Sequence, residues 1–193
     1  LISNAILTLA EMIERDRNHP CIIIWSIGNE NLTLFTKSTR STYKKLYEVC
    51  KKLDPSRPVT FAILTFPIFS PAFEKTADLA DIISVNEYYG WYFGKISGAG
   101  KYFDKLHRKY PQKLFIISEF GAGAVRGWHD PEARKKFSEE YQARLLIETW
   151  KQIKQKNGIV GGMPWIFADF RCGWFGTDHP VPEMNLQGIV DYE

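Results

Sequence analysis

A chain of 193 residues can bury one substantial hydrophobic core but scarcely two. Its composition, 45% hydrophobic and 15% aromatic with six Trp, nine Tyr and thirteen Phe, suits a globular domain with stacking surface for ring-shaped ligands. A net charge of +3, from 25 Lys and Arg against 22 Asp and Glu dispersed without blocks, excludes nucleic acid and a membrane surface as expected partners.

Residues 1–14 set Ile2, Ala5, Ile6, Leu9, Met12 and Ile13 on one helical face. Asn18-His19-Pro20 stops that helix, because proline disfavours helical backbone in the residue before it. Cys21 to Ile27 is a nearly continuous apolar, β-branched run, the pattern of a strand buried on both faces in a parallel sheet. Tyr43, Leu46, Tyr47, Cys50 and Leu53 line a second helix, closed by Asp54-Pro55. Pro58 to Leu64 reads as a strand, a short irregular helical stretch follows Pro71, and Asp81 to Asn86 is the next strand. A helix over about Gly100 to Lys109 precedes a strand from Lys113 to Ser118. The longest helix is expected to begin at Asp130-Pro131, an N-cap followed by proline at the first helical position, and to end at Asn157-Gly158. A last strand runs near Ile159 to Phe167, and Ala168 to Glu193 reads as Gly/Pro-rich loop.

Strands alternating with helices, without antiparallel hairpin signals, predict an α/β fold with a parallel sheet. No Gly-x-Gly-x-x-Gly and no phosphate-binding Gly-x-x-x-x-Gly-Lys-Ser/Thr appears. The remaining large class is the (β/α)8 TIM barrel, or else a different open sheet; five strands make any barrel partial. The chain carries no internal repeat or linker and opens at Leu1 inside a helix, so it reads as an excised piece of a single domain spanning 1–193. Cys21, Cys50 and Cys172 are widely spaced, and His19, His107, His129 and His179 lack metal-ligand spacing, so no metal or disulfide framework is expected. No apolar run reaches the roughly 18 residues that span a bilayer.

Functional side chains of barrels sit at the C-terminal ends of strands. Two such ends carry a carboxylate, in Ile27-Gly28-Asn29-Glu30 and Ile117-Ser118-Glu119-Phe120. Burying an acid there costs several kcal/mol unless it is paired or hydrated. Glycoside hydrolysis needs one carboxyl group to protonate the leaving oxygen and one carboxylate to attack the anomeric carbon. Spacing alone leaves a second reading open, in which each Glu is a salt-bridged loop residue.

The surrounding residues decide between the two. Arg15-Asp16-Arg17-Asn18-His19-Pro20 with Trp25-Ser26-Ile27-Gly28-Asn29-Glu30 resembles the acid/base signature of glycoside hydrolase family 2. Ile117 to Ala122 is similar to that family's nucleophile segment, and Trp165-Ile166-Phe167-Ala168-Asp169-Phe170 continues the likeness. Within the family, Asn86-Glu87-Tyr88-Tyr89-Gly90-Trp91-Tyr92 and Gly127-Trp128-His129 resemble the β-glucuronidases. The resemblance covers nearly the whole chain. It implies a retaining exo-β-glycosidase that needs no cofactor, with Glu30 as acid/base and Glu119 as nucleophile, 89 positions apart on the fourth and seventh strands of the barrel. By position it gives Asn29 a bond to the sugar 2-hydroxyl, Tyr88 a role in orienting the nucleophile, and Trp165 the stacking floor. It also implies a carbohydrate substrate, missing N-terminal barrel strands and accessory domains, and an assembly that can be a homo-oligomer.

One position departs from the pattern. Uronate-reading relatives carry Asn-x-Lys-Gly after the last strand, and here Asn185-Leu186-Gln187-Gly188 stands instead. Gln187 donates hydrogen bonds without the positive charge that roughly doubles their strength, so a neutral β-galactoside fits it at least as well as a glucuronide. A non-catalytic carbohydrate-binding fragment is the reading from another functional class. Among neighbouring residues, Glu87 alternates with Tyr88 and faces away from the site. Trp25 and Trp91 read as packing, His19 as a turn residue, Asp169 as a partner of backbone or Arg171, and His129 as either a rim contact or a turn. Asp178-His179 lies in loop.

Overall fold

The computed structural model describes residues 2–31, 37–64, 76–174 and 179–190. Helices and strands alternate as α1 (Ile2–Asp16), β1 (Trp25–Asn29), α2 (Lys37–Leu53), β2 (Val59–Leu64), β3 (Ile82–Asn86), α3 (Gly98–Lys109), β4 (Leu114–Phe120), α4 (Glu139–Lys154) and β5 (Ile159–Pro164). The strands hydrogen-bond in chain order, β1-β2-β3-β4-β5, and β1 with β2 and β2 with β3 run parallel. This is the alternation of a partial (β/α)8 barrel, as the sequence predicts. The chain divides into two compact units, Leu1–Asn86 with Leu106–Ile116, and Glu87–Lys105 with Ile117–Glu193.

In the first unit, Leu9 and Ile13 of α1 and Leu46 and Cys50 of α2 bury themselves against Trp25 and Val59. The first five residues of β2 are buried, as a parallel strand covered on both faces requires. Among the described residues the β1 strand pairs with β2 alone, and within β1 only Trp25 is buried. It also starts later than Cys21. The Ile22 amide donates to the His19 carbonyl and the Ile22 carbonyl accepts from Arg57 Nε at 2.7 Å, so these backbone groups are spent on a turn and a side chain instead of a ladder. The ladder begins where the Trp25 amide meets the Pro58 carbonyl. Below it, Asp54 accepts from Trp25 Nε1 at 2.9 Å, from Ser56 Oγ and from Arg57 Nη1, and these donors hold its carboxyl well below the usual carboxylate range.

In the second unit the core gathers Tyr88, Trp91, Ile96, Ala122, Tyr141 and Leu145. Helix α4 begins at Glu139, not at Asp130-Pro131. Asp130 Oδ2 does accept from the amides of Arg134 and Lys135, but it closes a turn and caps no helix, since Ala133 (φ +50°) and Phe137 (φ +69°) interrupt helical backbone there. Ser138 is the true N-cap, accepting from the Tyr141 amide at 3.2 Å, with Glu139 and Glu140 in the first turn where the helix dipole favours them. At 16 residues α4 is one shorter than α2, so α2 is the longest helix described. The tail is not all loop: Phe170–Arg171 (β6) pairs antiparallel with Met184–Asn185 (β7), a hairpin-like pairing the sequence reading did not anticipate. Of the irregular stretch after Pro71, residues 71–75 lie outside the described residues, and a 3-10 turn occupies Ala77–Leu79.

Candidate active site

Each unit presents a cluster of polar side chains at strand ends. In the first, β1 closes on Asn29 and Glu30. The Glu30 amide donates to the Ala62 carbonyl of β2 at 3.0 Å, and its backbone turns into the left-handed region (φ +47°), a conformation a side chain of this size seldom adopts. Asn86, the last residue of β3 and fully buried, donates from Nδ2 to Asn29 Oδ1 at 2.9 Å and to Glu30 Oε1 at 2.8 Å. A buried amide thus fixes both side chains while Glu30 stays half-buried and Asn29 exposed, open to a ligand.

In the second unit, β4 delivers Glu119, half-buried, whose Oε2 accepts from the Tyr88 hydroxyl at 2.7 Å. That length is ordinary for an O–H···O hydrogen bond. The Glu87 amide donates to the Glu119 carbonyl at 2.8 Å, which sets Tyr88 beside the acid. Glu87 itself is sealed, 1% exposed, and accepts from the Tyr89 amide; burial pushes its carboxyl up to about 8. No sugar can reach it.

Trp165 follows β5, half-buried, packed on the cluster that contains Tyr88 and edge-on to Phe170. Its amide donates to the Phe120 carbonyl at 2.9 Å. This crossing needs a glycine next to Phe120, since a Cβ on Gly121 would stand 2.4 Å from the Trp165 carbonyl oxygen. Gly121→Ala is therefore expected to cost about 1–3 kcal/mol, read as a lower denaturant midpoint at unchanged slope.

Asn185 and Gln187 are both buried and bonded to each other: the Gln187 amide donates to Asn185 Oδ1 at 2.9 Å, and Asn185 Nδ2 donates to Gln187 Oε1 at 3.3 Å. The Tyr92 hydroxyl adds a second bond to Gln187 Oε1 at 3.2 Å. Among the described residues Gln187 Nε2 meets no hydrogen-bond partner.

Each unit therefore brings its own expected residues together: Asn29 with Glu30 in one, Tyr88 with Glu119 and Asn185 with Gln187 in the other. The sequence reading missed Asn86 and Tyr92, although both lie in the stretch Asn86 to Tyr92 that it singled out. Trp25 and Trp91 are buried in cores, and the Asp169 carboxylate accepts from the Gly188 amide at 2.7 Å. His19 serves the turn through its backbone, and exposed His129 pairs with Glu140 at 2.9 Å, a hydrogen bond that raises the imidazole above its ordinary value. Asp178 lies outside the described residues. Among the described residues no cluster of His, Cys, Asp or Glu could hold a metal ion, and no helix is long and apolar enough to cross a membrane.

Residues 3–190 match the family model of glycosyl hydrolases family 2, TIM barrel domain. The chain is 39% identical over 173 residues to the β-glucuronidase of Sus scrofa, a match covering 84% of this chain and 25% of that protein. Among solved structures it is similar to an uncultured Clostridium sp. β-glucuronidase (TM-score 0.86, 31% identity, 98% of this chain and 33% of the other). It is also similar to an Eisenbergiella tayi β-galacturonidase bound to galacturonate (TM-score 0.81, 34% identity, 95% and 32%). The chain thus spans about a quarter of the length of the curated relatives it matches.

Proposed function

The chain belongs to the TIM barrel domain family of the family 2 glycosyl hydrolases, and on that premise we propose that it carries the catalytic residues of a retaining exo-β-glycosidase. The observation that carries this reading is Glu119, an acid at the C-terminal end of a barrel strand held by the Tyr88 hydroxyl at 2.7 Å. Glu119 attacks the anomeric carbon as Glu30 gives its proton to the glycosidic oxygen; the C–O bond to the aglycone breaks and a glycosyl ester with Glu119 forms. Glu30, now a carboxylate, takes a proton from water, and the hydroxide oxygen displaces Glu119 with the configuration retained. Asn29 donates to the sugar 2-hydroxyl, Tyr88 orients Glu119, and Trp165 supports the ring face.

The relatives' names favour a β-glucuronide as substrate. Neutral Gln187 favours a second reading, a β-galactoside of the same chemistry. A panel of nitrophenyl β-glucuronide, galacturonide, galactoside and mannoside, assayed on the longest polypeptide that contains this chain, tests the assignment, with NMR of the first-released anomer. Release of the β-anomer is expected. Release of the α-anomer, or no turnover of any glycoside, overturns the mechanism. The 193 residues alone are expected to hydrolyse little, since they span a quarter of the relatives' length.

A further inference from the structure

The acid at the end of β1 is held in a shape that its own backbone does not favour. Glu30 lies at φ +47°, and a residue with a side chain persists in the left-handed region only where its surroundings over-determine it. Just before it, β1 is irregular: Ser26 pairs with Thr60 and Asn29 with Ala62, so three steps along β1 match two along β2. An extra residue of this kind interrupts the ladder and re-aims the side chains that follow. Two contacts hold the turn from the neighbouring strands, the Glu30 amide on the Ala62 carbonyl and the Asn86 amide on Glu30 Oε1. Neither reaches the residue after Glu30.

A third contact comes from α2. Tyr43, 2% exposed, lays its ring against Phe61 of β2 with centroids 4.4 Å apart, and its hydroxyl accepts from Asn31 Nδ2 at 2.8 Å. The same ring edge abuts the irregular part of β1. A Cβ on Gly28 would lie 2.9 Å from Tyr43 Cζ and 3.0 Å from Tyr43 Cε1, so the phenol fills the space that a side chain there would need. One buried residue therefore touches the chain on both sides of the Asn29–Glu30 pair, at Gly28 before it and at Asn31 after it. Asn31 is exposed, and water would serve its amide equally well. What the bond to Tyr43 adds is a fixed point for the backbone just beyond Glu30.

We propose that Tyr43 is a positioning residue for Glu30: its hydroxyl, bonded to Asn31 and seated against Gly28, pins the left-handed turn that aims the acid. This rests on the glycosidase reading above and deepens it. Tyr43 acts on proton transfer by Glu30 and not on the attack by Glu119. Loosening the turn therefore slows glycosides whose leaving group needs a proton and spares those whose leaving group departs without one.

Tyr43→Phe keeps the ring on Phe61 and removes only the hydroxyl. In the longest polypeptide that contains this chain, its kcat/KM for a phenyl β-glycoside is expected to fall about 3–10-fold, the range one neutral hydrogen bond supports. Its kcat/KM for the dinitrophenyl β-glycoside of the same sugar should hold. Asn31→Ala should give the same split, and the double variant no more than either change alone. Equal losses on both substrates, no loss on either, or losses that add overturn the proposal. Amide hydrogen exchange at Glu30 supplies a readout that needs no substrate: in Tyr43→Phe it should quicken about 3–10-fold relative to the amides of β2. Unchanged exchange overturns the proposal whatever the activity. Glu30→Ala separates this from the glycosidase reading, since it should show the same split more deeply. Failure of that split removes the acid assignment and the proposal together, whereas a split in Glu30→Ala with none in Tyr43→Phe removes the proposal alone.

Discussion

Replacing Glu119 by alanine is expected to abolish hydrolysis of nitrophenyl β-glycosides, with a loss beyond the about 10²–10⁴-fold that a general acid–base group contributes. Without this carboxylate no glycosyl ester forms, and water has no activated route to the anomeric carbon. Azide added to the variant occupies the vacated space and attacks directly, so an α-glycosyl azide should appear as activity partly returns. Glu30→Ala gives the complementary signature. There the ester still forms from substrates with good leaving groups, and azide intercepts it to yield a β-glycosyl azide. The configuration of the azide product thus tells nucleophile from acid/base. A Glu119→Ala enzyme with undiminished turnover removes the assignment altogether.

The second large effect concerns Glu87, whose carboxyl burial raises from 4.5 to about 8. Between those values the folded chain holds a proton that the unfolded chain has released. The unfolded state then binds fewer protons, so stability falls as pH rises through this window and levels off above about 8. Glu87→Gln keeps the neutral shape and removes the proton. It should match the wild type near pH 4.5 and exceed it by a few kcal/mol near pH 9. Urea unfolding across that range measures the difference. Parallel stability curves for the two proteins would show that Glu87 does not titrate in this window.

What the sequence conveyed about the fold followed burial. The stretches Pro58–Leu64 and Asp81–Asn86 read as strands because covered strands are largely apolar, and the strands found, Val59–Leu64 and Ile82–Asn86, each begin one residue later. The β1 strand was misplaced because Cys21–Ile24 is as apolar as a strand while the Ile22 carbonyl is claimed by Arg57, a residue 35 positions away. Local composition carries no trace of such a partner. For α4 two nearby cap signals competed. Asp130-Pro131 has the better signature, yet Ser138 with two acids behind it starts the helix, and the left-handed residues between them carry no glycine to announce a break. The two-residue strands β6 and β7 are too short to show a period. At the site, Glu30 and Glu119 stand out because acids rarely close apolar strands. Asn86 does not, since nothing in its neighbours reveals that its amide reaches two residues some 56 positions earlier.

The Asn86 amide also bears on proton placement. Its Nδ2 can only donate, and it meets Glu30 at Oε1, where an unprotonated oxygen is the better acceptor. With Glu30 as the proposed acid, this bond favours its proton on Oε2 and biases which oxygen faces the leaving group before a sugar arrives.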